Sequence, residues 1–231
     1  MKTKRKDSDA TPSQVKGTPE RREPPPRQRR HVQDMHDRFD ALAMQVRQLL
    51  LTESGKQSRV VGVTSCERGE GVSTVAANLA VSAAAIMGDR VLLVDGCTQH
   101  PAVASQFRVA SAPGLTEALT GKIGLESCCH TTGVANLSVM PIGGAAAQNE
   151  VISDAMTLAE MLRELSGSYT FIVVDMPPAL ESGNCCLWAG AVDGLLMVLE
   201  AGRVPAEVAQ RTKLRMLNLG VKVLGAVLTK E

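Results

Sequence analysis

The sequence predicts an α/β domain in which a parallel β-sheet carries helices on both faces, preceded by a disordered basic tail. Three observations predict this arrangement. Short β-rich runs alternate with helical segments through most of the chain, and such repetition produces parallel sheets with right-handed crossovers. One strand leads through a glycine-bearing loop directly into a helix. Residues 1–38 carry eleven Lys/Arg against six Asp/Glu, whereas the remainder of the chain is acidic.

The predicted tail covers residues 1–34. Lys, Arg, Pro, Ser and Gln dominate it, so it has little to bury and we expect disorder. We interpret it as a solvated segment, with a weak electrostatic tether to anionic lipid or an acidic partner as the alternative. It lacks the interleaved aromatics that stack on nucleic-acid bases. The charged start and the lack of an apolar window of ~18–20 residues argue against a secretory signal or a membrane span, so we expect a cytoplasmic protein.

The elements follow the tail in a regular order. Residues 35–57 are predicted as a helix and linker, and residues 58–231 as the domain itself. The predicted strands are Val60–Thr64, Val91–Val94, Leu137–Met140, Phe171–Val174, Leu195–Leu199 and Val223–Leu228. The predicted helices are Val72–Met87, Ser153–Leu165 and Pro205–Leu219, followed by Gly88, Gly167 and Gly220 as left-handed caps.

The six cysteines contain no C-x-x-C pattern. Two adjacent pairs are poor templates for tetrahedral zinc, so we interpret the cysteines as small packing residues. The run Cys128-Cys129-His130 is the alternative metal-binding segment.

The segment Val60–Thr74 carries the most informative pattern. It runs from a strand through a loop containing Gly69 and Gly71 into a helix that opens at Ser73. Glycines let consecutive N–H groups turn toward one anion, and the helix N-terminus adds positive potential. A hydroxyl at Ser73 stands where such loops hold Mg²⁺. The pattern therefore predicts a domain like the P-loop NTPases.

One position in this loop does not fit phosphate chemistry. The P-loop pattern requires Lys where this chain has Val72. A charge pair at contact distance contributes about 4 kcal/mol at an effective dielectric constant near 20, and losing even ~3 kcal/mol costs roughly a hundredfold in affinity. Phosphoryl transfer depends further on electrostatic stabilisation. Arg68 is the candidate replacement, although nothing in the sequence directs it toward the phosphates.

Several motifs together resemble one known family. Ser65–Ala80 reads S-C-E-R-G-E-G-V-S-T-V-A-A-N-L-A and is similar to the Walker A region of bacterial tyrosine kinases of capsule and exopolysaccharide synthesis, S-S-x-P-G-E-G-K-S-T-x-x-x-N-L-A. Val91–Asp95 followed by Pro101 resembles their second motif, V-L-L-I-D-A-D-x-R-x-P. Phe171–Pro178 resembles their Walker B stretch, I-I-I-D-T-P-P. The similarity covers most of residues 58–231 and implies ATP or ADP with Mg²⁺ as ligand.

The resemblance also implies the site residues. The nucleotide cradle would be formed by Gly69, Glu70, Gly71, Ser73 and Thr74, with Arg68 as a further candidate. The Mg²⁺ ligands would be Ser73, Asp95 and Asp175, and the two aspartates would be the catalytic residues. Both aspartates follow predicted strands at the edge of the sheet where ligands bind in open α/β folds. For each aspartate, capping of a turn is the alternative role.

The sequence departs from the family pattern at specific places. The family's lysine is Val72, its second aspartate is Cys97, the following arginine is Gln99, and the adenine-side Asn is Thr229. The family phosphorylates a cluster of tyrosines near the C-terminus, whereas the only tyrosine here is Tyr169, just before a predicted core strand.

The family's ring-forming E-x-x-R-x-x-R motif also has a counterpart. Its positions correspond to Ala41, Met44 and Arg47, so only the last arginine is retained. The resemblance implies an oligomer, but this helix keeps one of three motif residues.

The leading hypothesis is a non-catalytic member of this family that serves as a regulatory or scaffolding subunit of exopolysaccharide biosynthesis and export. It would be cytoplasmic and peripheral at the inner face of the plasma membrane, bound to a membrane adaptor or a kinase paralogue. One alternative is an active ATP-binding tyrosine kinase in which Arg68 replaces the lysine. A second alternative is a partitioning-type ATPase, although those proteins need a lysine where this chain has Glu67.

Overall fold

The computed structural model describes residues 26–51, 59–88, 90–121, 123–144, 154–181 and 183–230. Its strands are β1 (Arg59–Ser65), β2 (Val91–Asp95), β3 (His130–Thr131), β4 (Leu137–Met140), β5 (Phe171–Asp175), β6 (Gly194–Glu200) and β7 (Val223–Thr229). Its helices are α1 (Pro26–Leu51), α2 (Val72–Met87), α3 (Val103–Phe107), α4 (Leu115–Leu119), α5 (Ala155–Leu165), α6 (Asn184–Ala189) and α7 (Ala206–Asn218).

The strands form one sheet in the order β3-β4-β2-β5-β1-β6-β7. The six predicted strands pair in parallel, as expected. Strands β1, β2 and β5 are buried along their whole length, as continuous apolar runs in a parallel sheet should be. The short strand β3 is antiparallel to β4 and was not predicted, because two residues carry no periodicity.

Helices cover both faces of the sheet, which confirms the predicted fold class. On one face α1 and α2 pack over the sheet through residues that include Ala43, Val46, Val75 and Leu79. On the other face α5, α6 and α7 contribute residues that include Leu158, Leu162, Trp188 and Met216. Each face of the sheet is therefore buried in its own apolar core.

The helix boundaries follow local chain chemistry. Helix α2 spans the predicted residues and ends at Gly88 with φ 64°, a left-handed cap that glycine adopts without a Cβ penalty. Gly220 has φ 80° after α7. The prediction for Gly167 is wrong, because α5 ends at Ser166 in the right-handed region and Gly167 does not have a positive φ.

Helix α1 begins at Pro26, earlier than the predicted start at Met35, so residues 26–34 are helical and not part of the tail. Residues 1–25 of the predicted tail, residues 52–57 of the predicted linker and residue 58 of the predicted domain lie outside the described residues. Among the helices of the described ranges, none has the length and apolar character needed to cross a bilayer.

Candidate functional site

The loop between β1 and α2 is shaped by glycines in left-handed conformations. Gly69 has φ 88° and Gly71 has φ 90°, values that residues with a Cβ adopt only with strain. Gly71 is the N-cap residue of α2, and because glycine has no side chain, no side-chain hydrogen bond caps the helix there. The first N–H groups of a 16-residue helix are therefore exposed to whatever occupies the loop.

The Glu70 carboxylate holds the loop from within. Glu70 is 1% exposed, and its two oxygens accept hydrogen bonds from the backbone N–H of Glu67 at 2.6 Å and of Glu200 at 3.2 Å. Its carbonyl oxygen accepts a hydrogen bond from the Thr229 hydroxyl at 3.0 Å. The Glu70 side chain thus ties the loop to the end of β6, and the Glu70 backbone carbonyl ties it to the end of β7.

Arg203 is a second residue that supports the loop, and sequence reasoning missed it. Its guanidinium donates to the Arg68 carbonyl at 2.6 Å and pairs with Glu200 at 2.8 Å. The same guanidinium lies beside Gly69, where an added Cβ would come within 2.9 Å of Nη1. Nothing in the sequence around Arg203 indicates this contact, because it joins segments far apart along the chain.

A cavity of about 240 Å³ opens beside the loop and the carboxyl ends of β1 and β5. The predicted site residues that line it are Arg68, Gly69, Gly71, Ser73, Thr74 and Asp175. The residues at positions where the family pattern differs also line it: Val72, Cys97 and Gln99. The structure thus brings most of these positions to one cavity, whereas Glu70, Asp95 and Thr229 are not among its described lining residues.

Asp175 lies at the bottom of this cavity in an unusual electrostatic state. It is 1% exposed, and among the described residues its Oδ2 has no hydrogen-bond partner. Burial, the largest cause, and the neighbouring Asp95 charge together raise the pKa of Asp175 to about 7, although a hydrogen bond from the Ser73 hydroxyl opposes both effects. An unpaired buried carboxylate next to a hydroxyl matches the oxygen ligands that Mg²⁺ prefers.

Asp95 is arranged differently from Asp175, although the two are register partners on β2 and β5. Its oxygens accept hydrogen bonds from the backbone N–H groups of Cys97, Ala102 and Val103 at 3.2, 3.0 and 3.1 Å. Burial raises its pKa to about 6 despite these bonds. The carboxylate anchors the turn that leads into α3, and Asp95 is absent from the described residues that line the cavity.

Arg68 closes the mouth of the cavity. Its Nη2 lies 3.2 Å from the Gln99 side-chain oxygen, and its Nε lies 3.6 Å from a carboxylate oxygen of Glu181. The sequence did not indicate where Arg68 points, and the structure places it along the cavity lining. The side chain is 53% exposed.

A larger groove of about 710 Å³ lies on the other side of the loop, between α1 and the end of β7. The two spaces share Gly69, Gly71 and Thr74 as lining residues. Thr229, at the position of the family's adenine-side Asn, lines the groove but uses its hydroxyl on the Glu70 carbonyl. The groove is wide enough for a nucleoside, yet this recognition position lacks an amide.

The other predicted positions, apart from Cys97, are not among the described residues that line the cavity. Tyr169 is 7% exposed, with the Arg90 guanidinium 5.2 Å from its ring centroid. Ala41, Met44 and Arg47 are exposed on α1. Of the cysteines, Cys66, Cys128 and Cys185 are buried and Cys97, Cys129 and Cys186 are partly buried, all as free thiols.

Comparison with known proteins identifies the family. A family model described as an AAA domain matches residues 58–202. The chain is 30% identical over 178 residues to the tyrosine-protein kinase CpsD of Streptococcus agalactiae serotype III, covering 77% of this chain and 76% of that one. The chain belongs to the bacterial tyrosine-kinase family of polysaccharide biosynthesis. YwqD of Bacillus subtilis, another family member named as a tyrosine-protein kinase, is 30% identical over 75% of this chain and 73% of its own length.

A longer relative and a solved kinase domain agree with this family assignment, and a septum site-determining protein shares the fold. The succinoglycan biosynthesis transport protein ExoP of Rhizobium meliloti is 29% identical over 181 residues, which are 77% of this chain but 23% of that protein. The VpsO kinase domain superimposes with a TM-score of 0.72 at 28% identity, covering 87% of this chain and 98% of that one. The septum site-determining protein MinD of Pyrococcus horikoshii, solved with Mg-ADP, gives a TM-score of 0.65 at 25% identity over 74% of this chain and 70% of that one.

Proposed function

We propose that this family member has lost phosphoryl transfer and acts as a regulatory or scaffolding subunit of exopolysaccharide biosynthesis and export. The observation that carries the proposal is Val72, which lines the cavity at the position where the family pattern has lysine. Without the ammonium group, a γ-phosphate in this cavity has lost a charge partner that contributes about 4 kcal/mol at contact distance. The loss costs more in the transition state than in the bound ground state, because phosphoryl transfer depends mainly on electrostatic stabilisation.

A second loss of charge supports the same conclusion. Cys97 stands at the family's second aspartate, and burial raises the pKa of its thiol. The side chain is therefore neutral at pH 7, whereas an aspartate would be an anion able to bind a cation or accept a proton. Position 97 therefore supplies no carboxylate beside Asp175, and the other carboxylate among the described lining residues, Glu181, is paired with Arg68.

The retained residues still suit a magnesium nucleotide as a bound ligand. Ser73 and Asp175 would hold a partly hydrated Mg²⁺, and the N–H groups at the start of α2 would face the phosphates. When bound, the metal would neutralise part of the negative charge of the phosphates. Asp95 would keep the turn before α3 in place through its three backbone hydrogen bonds.

The acceptor side of the kinase reaction is also weakened. Tyr169 is the only tyrosine of the sequence, and its ring is buried under the Arg90 side chain. A buried phenol cannot reach the cavity of a second molecule without local unfolding. Self-phosphorylation at this residue is therefore unfavourable.

The partner in this proposal is the cytoplasmic end of a membrane adaptor or an intact kinase paralogue of polysaccharide export. The protein would then act in the cytoplasm, peripheral to the inner face of the plasma membrane. The basic N-terminal residues would add a weak attraction to anionic lipid, of about 1 kcal/mol per Lys or Arg near the surface.

The experiment that tests this proposal is a phosphorylation assay with Mg-ATP. The full chain is incubated alone and with an inactive variant of an active family kinase as substrate, and phosphotyrosine is quantified by mass spectrometry. We expect no phosphotyrosine from this chain, with the active kinase as positive control. Phosphotyrosine that depends on this chain would overturn the proposal.

An active ATP-binding kinase is the second candidate, because Arg68 lines the cavity and could carry the missing charge. The same assay separates the two functions. Phosphotyrosine produced by the wild type and abolished in Arg68→Ala would favour the active kinase.

A further inference from the structure

Arg68 and Gln99 face each other across the mouth of the phosphate cavity, with Nη2 3.2 Å from the Gln99 side-chain oxygen. In the related motifs the position of Arg68 is a proline and the position of Gln99 is an arginine. This chain therefore carries its arginine on the opposite side of the mouth. The guanidinium nevertheless reaches across to the side chain at position 99.

The cavity contains groups that could bind both a cation and an anion. The Asp175 Oδ2 is buried and has no partner among the described residues, and the first N–H groups of α2 face the same space. An orphan carboxylate beside a helix N-terminus suits a cation and an anion bound together. Among the described lining residues, Arg68 is the only Arg or Lys, so it is the side chain available to neutralise the anion.

We propose that Arg68 grips the diphosphate of a nucleoside diphosphate in this cavity and replaces, from the opposite side, the charge lost at Val72. The inference rests on the proposed function only in that the cavity remains a nucleotide site, and it does not require the loss of catalysis. A guanidinium can hold two phosphate oxygens at once, which a lysine cannot do in the same planar geometry.

Glu181 controls this role of Arg68 because it competes for the guanidinium. The Arg68–Glu181 pair is 3.6 Å long, and its side chains are 53% and 37% exposed. Such exposed pairs are weak, so a phosphate group displaces Glu181 easily. The loop need not move, because Glu181 also accepts the Arg68 backbone N–H at 2.9 Å and Arg203 holds the Arg68 carbonyl.

The test is calorimetric titration of the full chain with ADP and Mg²⁺. We expect Arg68→Ala to weaken ADP binding at least tenfold and Arg68→Lys to restore part of it. Glu181→Gln should tighten binding by about two- to fivefold, because the guanidinium loses its competitor. Arg211→Ala, an exposed arginine on α7, is the matched control and should bind as the wild type does. Thermal unfolding checks that each variant is folded.

A double-variant comparison isolates the proposed exchange of charge. Val72→Lys restores the family's ammonium, so in that background Arg68→Ala should weaken ADP binding less than threefold. Equal affinities of Arg68→Ala and Arg211→Ala, or no ADP binding by the wild type up to millimolar concentration, would overturn the inference. Neither result affects the proposal of lost catalysis, which fails if this chain produces phosphotyrosine or turns over ATP.

Discussion

Individual residues determine the shape of the phosphate loop. Gly71 has φ 90° at the start of α2, and a Cβ there would have room, since the nearest atom would be the Thr229 methyl group at 3.6 Å. Glycine is therefore required here by the positive φ, because no neighbouring atom blocks a side chain. An L-residue in the left-handed region costs roughly 1–2 kcal/mol.

Gly71→Ala should accordingly lower the free energy of unfolding by about 1–2 kcal/mol, measured by urea denaturation. Gly183→Ala is the matched control, because Gly183 has φ −61° and an added Cβ meets nothing within 4 Å. It should leave stability unchanged or slightly raised. Equal effects of the two substitutions would contradict the conformational explanation.

Asp175 gives the protein a specific dependence on pH. In the unfolded chain its carboxyl ionises near the ordinary pKa of 3.8, whereas in the folded protein the pKa is about 7. Between these values the folded state binds more protons than the unfolded state, so stability falls as pH rises. Above about pH 7 Asp175 is ionised in both states, so its unfavourable contribution to the free energy of folding no longer grows.

As the pH rises from 4.5 to 7.5, the free energy of unfolding of Asp175→Asn should therefore fall less than that of the wild type. We expect a difference on the order of 1–3 kcal/mol, compared by urea denaturation at both pH values. Asp95 leaves a residual dependence in the variant, since its pKa is also raised. The exposed Glu160 provides a control, and Glu160→Gln should follow the wild type. A parallel pH dependence in Asp175→Asn would rule out this assignment.

At the residue scale, sequence motifs predicted the lining of the cavity but not the network beneath it. Ser73 and Asp175 were found because strand ends and loop glycines leave a local pattern. The contacts of Arg203 with Glu200 and the Arg68 carbonyl depend on how β6 is placed beside β1. No local pattern records that placement.

At the scale of elements, α1 is fixed to the domain by its C-terminal half. Its last carbonyl groups are capped by two cations, with Arg59 Nε 3.0 Å from the Leu50 oxygen and Lys222 Nζ 3.2 Å from the Leu49 oxygen. Cations at a helix C-terminus are favourable. Val46 is 1% exposed where α1 packs in the core that it shares with α2. The same helix forms one wall of the groove beside the loop between β1 and α2.

Val46→Ala should destabilise the domain by ~2 kcal/mol through lost apolar burial and the cavity left behind. The exposed Gln48 on the same helix offers a control, and Gln48→Ala should change stability by less than about 0.5 kcal/mol. Both values come from urea denaturation. If Val46→Ala had no effect, the packing of α1 on the domain would be refuted.

The sequence predicted most long elements well and short ones poorly, although the long helix α1 begins at Pro26 and not at the predicted Met35. Helix α2 begins and ends where the apolar period and Gly88 indicated, because many residues support the same interpretation. The short helices α3, α4 and α6 and the strand β3 were not predicted. Tertiary contacts decide their conformation, since five or six residues cannot stabilise a helix alone.

At the scale of the whole molecule, the parallel sheet assembles the site. Strands β1, β2 and β5 are adjacent in the sheet order, so their carboxyl ends bring the loop, Asp95 and Asp175 to one edge. The alternation of strands and helices predicts a parallel sheet but not its strand order. That order, not the motifs, determines that Arg68 meets Gln99 and Glu181.

The proposed loss of phosphoryl transfer rests on Val72 at the family's lysine position, and a single-turnover assay is its sharpest test. Excess protein is mixed with a trace of radiolabelled ATP and Mg²⁺, and release or transfer of the labelled γ-phosphate is followed for hours. We expect the labelled γ-phosphate to be released or transferred no faster than in a heat-denatured sample. ATP turnover by the wild-type chain at the 1–100 s⁻¹ typical of kinases, or even a thousandfold more slowly, would contradict it.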